Sequence, residues 1–249
     1  MIGLFLGDTD FSEIILNKII KLKKKYFIID FSKNNKFKKD INSNRISIGK
    51  FGKIINLIKE KKSKKVLFAG KIAKPKFSTL RLDLKGIYYM PSVIKAAKSG
   101  DAAIIKAIIK ILEKEKIKVI SSNFFNPELS LKAKNYTKLK PNSKEIKSIK
   151  KGVLYFNQLN SLDHVQALII KDEKVIATEG NQGTKKMLSK LKKGSAGILI
   201  KLPKKKQDLR MDLPTIGLNT LKDCKKYGLN GIVLKSKKNI FLDKDKCIS

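Results

Sequence analysis

The sequence is poor in the residue types that build histidine- and cysteine-rich metal centres. It contains one histidine, His164, and two cysteines, Cys224 and Cys247, whose spacing matches no metal-binding or redox motif. Zinc sites made of several histidines and cysteines, and di-metal phosphoesterase centres that need several histidines, are therefore excluded. Any Ser-His-Asp triad would have to use His164. For a participating metal we expect oxygen ligands and thus Mg²⁺ or Mn²⁺.

Long apolar runs and a secretory leader are also missing. No stretch approaches the roughly 18 apolar residues of a membrane span. The apolar start, Met1–Leu6, lacks a basic leader and soon meets Asp8 and Asp10, so we interpret it as a first strand rather than a signal peptide. Cysteines without motif spacing are typical of a reducing compartment. We therefore expect a cytoplasmic protein.

Acidic residues are scarce, and arginine is rarer still. The 249 residues include 21 Asp and Glu against 57 Lys and Arg, a net charge of +36, which by itself favours a nucleic-acid binder. Only Arg45, Arg81 and Arg210 are arginines. Because arginine reads bases and phosphates through paired hydrogen bonds and lysine is a flexible point charge, this composition disfavours a dedicated nucleic-acid reader. The high Ile and Asn contents and the absence of Trp are typical of AT-rich codons, which accounts for part of the lysine excess.

Apolar periodicity predicts an α/β protein with two domains. At 42% hydrophobic residues the chain can bury real cores. Strands alternate with helices up to residue 122, which predicts a parallel sheet with crossover helices. Residues 123–148, with two prolines and isolated lysines, are predicted as a linker, and 149–249 as a second α/β domain that opens on a hairpin at 166–178. The predicted strands of the first domain are Ile2–Leu6, Tyr26–Asp30, Lys65–Ala69 and Lys118–Ser121, and its helices Ser12–Leu22, with Ser12 as N-cap, Gly49–Lys61 and Asp101–Glu115.

The densest polar constellation is Gln207–Gly217, which follows a predicted strand, Gly197–Lys201. Loops after the carboxyl ends of strands are where α/β proteins place their sites. Asp208 and Asp212 flank Arg210, and two carboxylates can hold a divalent ion while arginine clamps a phosphate. Asp212 could instead orient or deprotonate a water molecule. The same spacing also suits an ordinary salt-bridged turn that leads into a helix.

Other loops offer weaker signals. The glycine-containing loop Glu179–Thr184 could present amide groups to an anion, or it is a plain strand-to-helix turn with Thr184 as N-cap. Gly7–Asp10 follows the first strand but has one glycine, so the dinucleotide fingerprint GxGxxG is absent. His164, beside Asp163, is either a base or a satisfied structural side chain.

The chain resembles a known family at these same segments. The run Gln207–Gly217 reads QDLRMDLPTIG and is similar to the QDxRxDLPTIG run of the LpxI-type UDP-2,3-diacylglucosamine pyrophosphatases of lipid A biosynthesis. In that family, too, a strand like Gly197–Lys201 and a Lys-Pro-containing loop precede the run. Further similar segments are spread over the chain, at residues 49–53, 66–71, 100–102, 166–167, 179 and 183–184.

The resemblance implies an N-terminal Rossmann-like domain and a C-terminal α/β domain with the substrate in the cleft between them. It also implies hydrolysis of UDP-2,3-diacylglucosamine to UMP and 2,3-diacylglucosamine 1-phosphate (lipid X), with Mg²⁺ or Mn²⁺. The essential aspartate of the family corresponds to Asp212. Where the family has Glu-Gly-Thr-Asp, this chain has Gln182–Lys185, so no metal-ligand role is carried over to those positions.

From the pattern and the resemblance we predict the site residues. Asp212 and Asp208 are the expected metal ligands, and with Arg210 they form the expected catalytic set. The expected substrate-binding residues are Lys201, Gln207, Thr215, Gly183, Thr184, Gln166 and Glu179, with Lys71 and Asp101 from the N-terminal domain.

The lysine-rich surface predicts peripheral attachment to the anionic inner face of the inner membrane, where a UDP-sugar lipid substrate resides. We expect no specific nucleic acid partner, and association into a homodimer stays open. The competing hypotheses are a non-catalytic basic nucleic-acid-binding protein and a Rossmann-type oxidoreductase.

Overall fold

A computed structural model describes residues 1–73, 75–159, 165–180, 182–204 and 207–248. The chain divides into two compact units, Met1–Asn126 and Pro127–Ser249. Each unit has its own β-structure and its own helices, so the predicted α/β class is confirmed.

The first unit is built on a five-stranded parallel sheet in the order β3-β2-β1-β4-β5. This order, with its reversal between β1 and β4, is that of Rossmann-like folds. The strands are β1 Ile2–Leu6, β2 Tyr26–Asp30, β3 Ser43–Asn44, β4 Lys65–Ala69 and β5 Lys118–Ile120, and the helices are α1 Asp10–Lys21, α2 Phe51–Glu60, α3 Leu84–Ala97 and α4 Asp101–Lys114, with short 3-10 turns at Phe77–Thr79 and Ser122–Phe124.

The loops that follow β1 and β4 lie against each other. Ser12, predicted as a helix N-cap, lies inside α1, and its hydroxyl donates to the carbonyls of Gly7 and Ala69, each at 2.9 Å. Thr9 holds the N-cap position instead. A Cβ on Gly7 would come within 2.3 Å of the Lys71 carbonyl oxygen, so only glycine fits here. The loops after β1 and β4 are thus held together by a close backbone contact and by the Ser12 hydroxyl.

The sequence pattern does not predict helix α3. Gly86 and Pro91 interrupt its pattern, and its apolar side chains fall on two faces rather than one, so the single-stripe signature of a surface helix is absent. Asp83 begins the helix as N-cap and accepts hydrogen bonds from the amides of Gly86, at 2.8 Å, and of Gly52 and Lys53, both at 3.0 Å. One carboxylate therefore joins the start of α3 to the first turn of α2.

Glu115, at the C-cap of α4, ties three helices together. It accepts hydrogen bonds from Lys59 of α2, at 2.8 Å, from Tyr89 of α3, at 3.0 Å, and from Lys85 of α3. Burial by itself raises the pKa of Glu115, but these hydrogen bonds outweigh it and lower the pKa to about 2. The carboxylate is therefore a stabilising element of the first unit.

Replacing Glu115 by glutamine is expected to lower the free energy of unfolding by about 2 kcal/mol at neutral pH, a figure reduced by solvent screening of the two lysines. A lowered carboxyl pKa stabilises the folded state above the unfolded value of 4.5, and this stabilisation is lost as the pH falls from there towards 2. Urea unfolding at pH 7 and pH 3 should show a larger difference between wild type and Glu115→Gln at pH 7 than at pH 3, because part of the stabilisation is already lost at pH 3. Glu60→Gln, the same change at an exposed site, is the control; an equal effect of both changes would contradict the role of Glu115.

The second unit has a four-stranded mixed sheet in the order β10-β8-β6-β7, in which β6 is antiparallel to both neighbours, and a small parallel pair, β9 with β11. The predicted hairpin is confirmed, with Asp172 and Glu173 at positive φ in its turn. The elements are α5 Ser143–Gln158, β6 Ala167–Lys171, β7 Lys174–Thr178, α6 Gly183–Ser189, β8 Ile198–Lys201, β9 Thr215–Ile216, α7 Leu218–Lys226, β10 Gly231–Leu234, β11 Ile240–Phe241 and α8 Lys244–Ile248.

Helices cover both faces of the four-stranded sheet. On one face, Leu168 and Ile200 pack against Phe156 of α5. On the other, Ile169 and Leu199 pack against α6 and α7, with Leu188 among the buried contacts. Successive residues of a strand point to opposite faces, so Lys201, two residues beyond Leu199, lies on the α6 and α7 side of the sheet.

The segment predicted as a linker, 123–148, makes specific contacts on its C-terminal side. The amide of Leu131 donates to the Asn239 side chain at 3.0 Å, and the Ser130 hydroxyl donates to the Asn239 carbonyl at 3.0 Å. The start of α5 carries a reciprocal capping box between Asn142 and Glu145. Residues from Pro127 onward therefore pack within the second unit.

The helices of the described ranges are short. α5, at 16 residues, is the longest of them. A transmembrane helix needs about 20 predominantly apolar residues. In the part of the chain that the structure describes, no helix is both long and apolar enough to cross a bilayer.

Candidate active site

One edge of the four-stranded sheet collects several of the predicted site residues. Lys201, at the carboxyl end of β8, pairs in register with Ala167 at the start of the antiparallel β6. β7 ends at the same edge, and the Glu179 amide donates to the Ala167 carbonyl at 2.9 Å. On the other side, the Leu202 amide donates to the Gln166 carbonyl at 3.1 Å. The strand directions thus place Gln166, Glu179 and Lys201 side by side.

A continuous chain of hydrogen bonds joins these residues to the first turn of α6. The Lys201 ammonium donates to the Thr184 hydroxyl at 2.8 Å, and this hydroxyl donates to Glu179 Oε1 at 2.6 Å. The other carboxylate oxygen of Glu179, Oε2, accepts a hydrogen bond from the backbone amide of Gln166 at 2.9 Å. Thr184 is therefore not the helix N-cap that we predicted, a position held by Gln182. Its hydroxyl orients the lysine against the carboxylate.

Gln207 extends this chain into the loop after β8. Its side-chain oxygen accepts hydrogen bonds from the Lys204 amide, at 2.9 Å, and from Gln166 Nε2, at 3.1 Å. Because the backbone amide can only donate, the orientation of the Gln207 side chain is determined. Gln207 is 8% exposed, and among the described residues its Nε2 group has no hydrogen-bond partner. A buried donor without an acceptor costs about 1–3 kcal/mol, so this amide is suited to an incoming oxygen of a ligand.

Lys201 is the buried cation of the site. Burial lowers the pKa of its ammonium group below the usual 10.5, whereas the charges of Glu179 and Asp212 oppose that shift. Charges interact more strongly here than in water because the surroundings are less polar. The arrangement holds a positive charge, largely removed from solvent, at the sheet edge and within electrostatic reach of Asp212.

The turn after Gln207 holds a two-point ion pair. Arg210 donates through Nε to Asp208 Oδ1 at 3.0 Å and through Nη2 to Oδ2 at 2.8 Å. The Asp212 amide donates to the Asp208 carbonyl at 3.0 Å, which closes the turn. Both Asp208 oxygens therefore face the guanidinium group. This is the salt-bridged turn that the sequence spacing allowed as an alternative. Asp208 would have to leave Arg210 to bind a metal, whereas the half-buried Asp212 lies within electrostatic reach of Lys201.

Whether this site could bind a magnesium ion depends on which carboxylates are available as ligands. Within the described ranges, no three His, Cys, Asp or Glu side chains come close enough together to share an ion. Glu179 has hydrogen bonds on both oxygens, and Asp208 is paired with Arg210. Mg²⁺ commonly binds through one or two carboxylates, water and substrate phosphates. Asp212 is the carboxylate of this loop that could serve an ion of that kind, and its role as a metal ligand stays a prediction.

Two further residues of the predicted set are engaged locally. The Gly183 amide donates to the Gly180 carbonyl at 3.0 Å, so in this conformation it does not point to a ligand. Its φ of +82° favours glycine. The Thr215 hydroxyl donates to the Leu213 carbonyl at 3.0 Å.

The remaining candidates lie elsewhere or outside the described part. Lys71 is exposed after β4, and Asp101 is exposed in the first turn of α4. Both belong to the unit Met1–Asn126, so their part in the site stays a prediction. His164 and the pair 205–206 fall outside the described residues.

Sequence reasoning missed Cys224, a buried residue of α7 on the same face of the sheet as Lys201. Burial, with a smaller effect of Asp223, raises the pKa of its thiol to about 12. Such a thiol stays protonated and unreactive at neutral pH, so Cys224 forms part of the apolar wall behind Lys201. The apolar side of α7 is the signal that could have placed it there.

Comparison with known proteins identifies the family. A model of the LpxI N-terminal domain matches residues 1–129, and a model of the LpxI C-terminal domain matches residues 132–249. The UDP-2,3-diacylglucosamine pyrophosphatase LpxI of Caulobacter vibrioides is 31% identical over 214 residues, which cover 82% of this chain and 76% of that relative. The resemblance drawn from the Gln207–Gly217 run is confirmed. The chain belongs to the LpxI family.

Proposed function

We propose that the chain hydrolyses the pyrophosphate of UDP-2,3-diacylglucosamine to UMP and 2,3-diacylglucosamine 1-phosphate, a step of lipid A biosynthesis. The name of the Caulobacter relative and the two matching family models support this function. The observation that carries it is the buried Lys201, which lies within electrostatic reach of Asp212 and is joined through a chain of hydrogen bonds to Thr184, Glu179, Gln166 and Gln207. Neither comparison supports the nucleic-acid alternative.

In the proposed reaction a water oxygen attacks one phosphorus, and the anhydride P–O bond breaks with its electron pair on the bridging oxygen. Asp212 orients the water and accepts its proton. Lys201 stabilises negative charge on the phosphate oxygens, where a preformed cation in a poorly solvated site is most effective. Gln207 Nε2, for which the described part of the chain offers no acceptor, donates to a substrate oxygen. Glu179 and Thr184 act through Lys201, whose ammonium group they position.

We further propose that Mg²⁺ or Mn²⁺ assists the reaction, held by Asp212 and the substrate phosphates. A bound divalent cation would neutralise phosphate charge and help to align the two reacting groups. Asp208 would join it only by releasing Arg210, and Arg210 would then be available for a phosphate.

The proposed activity is tested by UMP release from UDP-2,3-diacylglucosamine in detergent micelles. The purified wild-type chain is expected to release UMP with Mg²⁺ or Mn²⁺ and to lose the activity in excess EDTA. UDP-N-acetylglucosamine, which has the same pyrophosphate but lacks the two acyl chains of the lipid substrate, is the substrate control. No UMP release from the lipid substrate with either ion would contradict the function, whereas full activity in EDTA would contradict only the metal.

We also propose peripheral attachment to an anionic membrane from the cytoplasmic side. The net charge of +36 supports it, because each lysine close to such a surface contributes about 1 kcal/mol. The acyl chains of the proposed substrate supply the reason for working at a bilayer surface.

A further inference from the structure

Helix α3 exposes an apolar face to solvent. Leu84 is 87% exposed, Tyr88 74%, Ile87 60% and Ile94 40%. Pro91 lies between them and is also exposed. Spacings of three and four residues place these side chains in one stripe along the helix. The stripe, which we call the α3 face, is formed by Leu84, Ile87, Tyr88, Pro91 and Ile94.

The stability of the first unit does not account for the α3 face. The opposite side of the same helix, with Tyr89, Met90 and Val93, is the one that packs into the core. A helix with a second, exposed apolar face loses free energy in water, and contiguous exposed apolar patches mark interaction surfaces. The side chains on the α3 face therefore suit a partner outside the unit.

The charges around the α3 face point to the chemistry of that partner. Lys95 and Lys98 are exposed in the last turns of the helix, and Arg81 is exposed just before it. Asp83, the only acidic residue of the sequence between positions 71 and 98, binds three backbone amides. An apolar stripe with a basic rim matches a bilayer that contains anionic lipids. A second copy of the chain is a poorer match, because a two-fold contact would bring the same lysines together.

We infer that the α3 face is the surface by which this protein lies on an anionic bilayer, its apolar side chains inserted between the headgroups and Lys95 and Lys98 facing the lipid phosphates. This inference rests on the proposed peripheral attachment and names the structural element responsible for it. The bilayer is the place where a lipid with two acyl chains is found.

Vesicle binding by a matched pair of variants tests the inference. The full-length Leu84→Gln/Ile87→Gln variant removes two exposed apolar side chains from the α3 face and keeps good helix formers. The control, Ile41→Gln/Leu139→Gln, makes the same two chemical changes at sites of similar or greater exposure that lie elsewhere. On vesicles of phosphatidylglycerol and phosphatidylcholine, the α3 variant is expected to bind about tenfold or more weakly than wild type, and the control like wild type.

A second measurement uses the absence of tryptophan from the chain. Tyr88→Trp introduces a single tryptophan into the α3 face, and its emission is expected to shift to shorter wavelength on phosphatidylglycerol-containing vesicles. Ile41→Trp is the control and is expected not to shift. Vesicles of phosphatidylcholine alone should give a smaller shift at position 88.

Several results would overturn the inference. One is a Leu84→Gln/Ile87→Gln variant that binds vesicles with wild-type affinity. If salt also releases this variant from the vesicles, the scattered surface lysines suffice for membrane binding and the α3 face is not needed. Another is no binding of wild type to either vesicle. A third is a change in the molecular mass in solution with unchanged vesicle affinity, which would make the α3 face a contact between copies.

UMP release in neutral detergent micelles separates this inference from the proposed enzymatic function. If the wild-type protein is active but the α3 face contributes nothing to vesicle binding, only the membrane inference is overturned. If the protein is inactive but binds vesicles through the α3 face, only the enzymatic proposal is overturned.

Discussion

Replacing Asp212 by asparagine is expected to lower the rate of UMP release by about 10²–10³-fold, the usual cost of removing a side chain that takes up a proton or stabilises charge in the reaction. Asparagine keeps the shape of the side chain but can neither accept the proton of a water molecule nor bind a cation strongly. The effect should appear in kcat more than in KM, because the role of Asp212 is exercised in the transition state.

The control for Asp212→Asn is Asp245→Asn, the same change at an exposed site of the same unit. Both variants should unfold at the wild-type urea concentration, which shows that the loss is not one of structure. Wild-type rates for Asp212→Asn with both Mg²⁺ and Mn²⁺ would remove Asp212 from the mechanism.

Lys201→Met is expected to reduce UMP release by about 10²–10³-fold as well, because methionine retains the buried packing and removes the cation that stabilises phosphate charge.

The stability of the protein at different pH values distinguishes Lys201→Met from Asp212→Asn. Burial lowers the pKa of Lys201, so the folded state binds its proton less tightly than the unfolded chain does. The charged lysine is therefore unfavourable to folding at every pH below its folded-state pKa, and this penalty is relieved as the pH rises from that value to the unfolded 10.5.

Wild type should accordingly gain stability relative to Lys201→Met between neutral pH and about pH 10. Urea unfolding of both proteins across that range measures the difference. Lys222→Met, an exposed lysine of α7, is the control and should show no such trend. An unchanged difference between wild type and Lys201→Met at all pH values would contradict the assignment of Lys201 as a buried cation with a lowered pKa, and an unaltered rate would contradict its catalytic part.

The elements that local pattern predicts well are the strands of the first unit. β1, β2 and β4 are continuous apolar runs buried from end to end or nearly so, and the structure has them at the predicted residues. α4 also agrees, with Lys106 and Lys110 on its exposed side. Burial on both faces of a parallel sheet is what selects such runs, so periodicity and length suffice.

Local pattern fails where a side chain is used by distant parts of the chain. Ser12 and Thr184 both stand where a helix N-cap is expected, yet each hydroxyl is engaged by other loops. α3 escaped prediction because its exposed apolar face hides the contrast between a buried and a solvated side. In all three cases the local sequence is compatible with a simpler arrangement, and tertiary contacts decide against it.

The sequence by itself determined the α/β class, the family and the segment Gln207–Gly217, because these depend on local periodicity and on one long, specific motif. Only the tertiary structure decided how the polar residues combine. It joined Lys201 to Thr184, 17 positions away, and Gln166 to Gln207, 41 positions away, and it paired Asp208 with Arg210 rather than leaving both open to a ligand. The physical reason is that strand order and direction bring these side chains to one sheet edge, and burial there makes each polar group take the nearest partner.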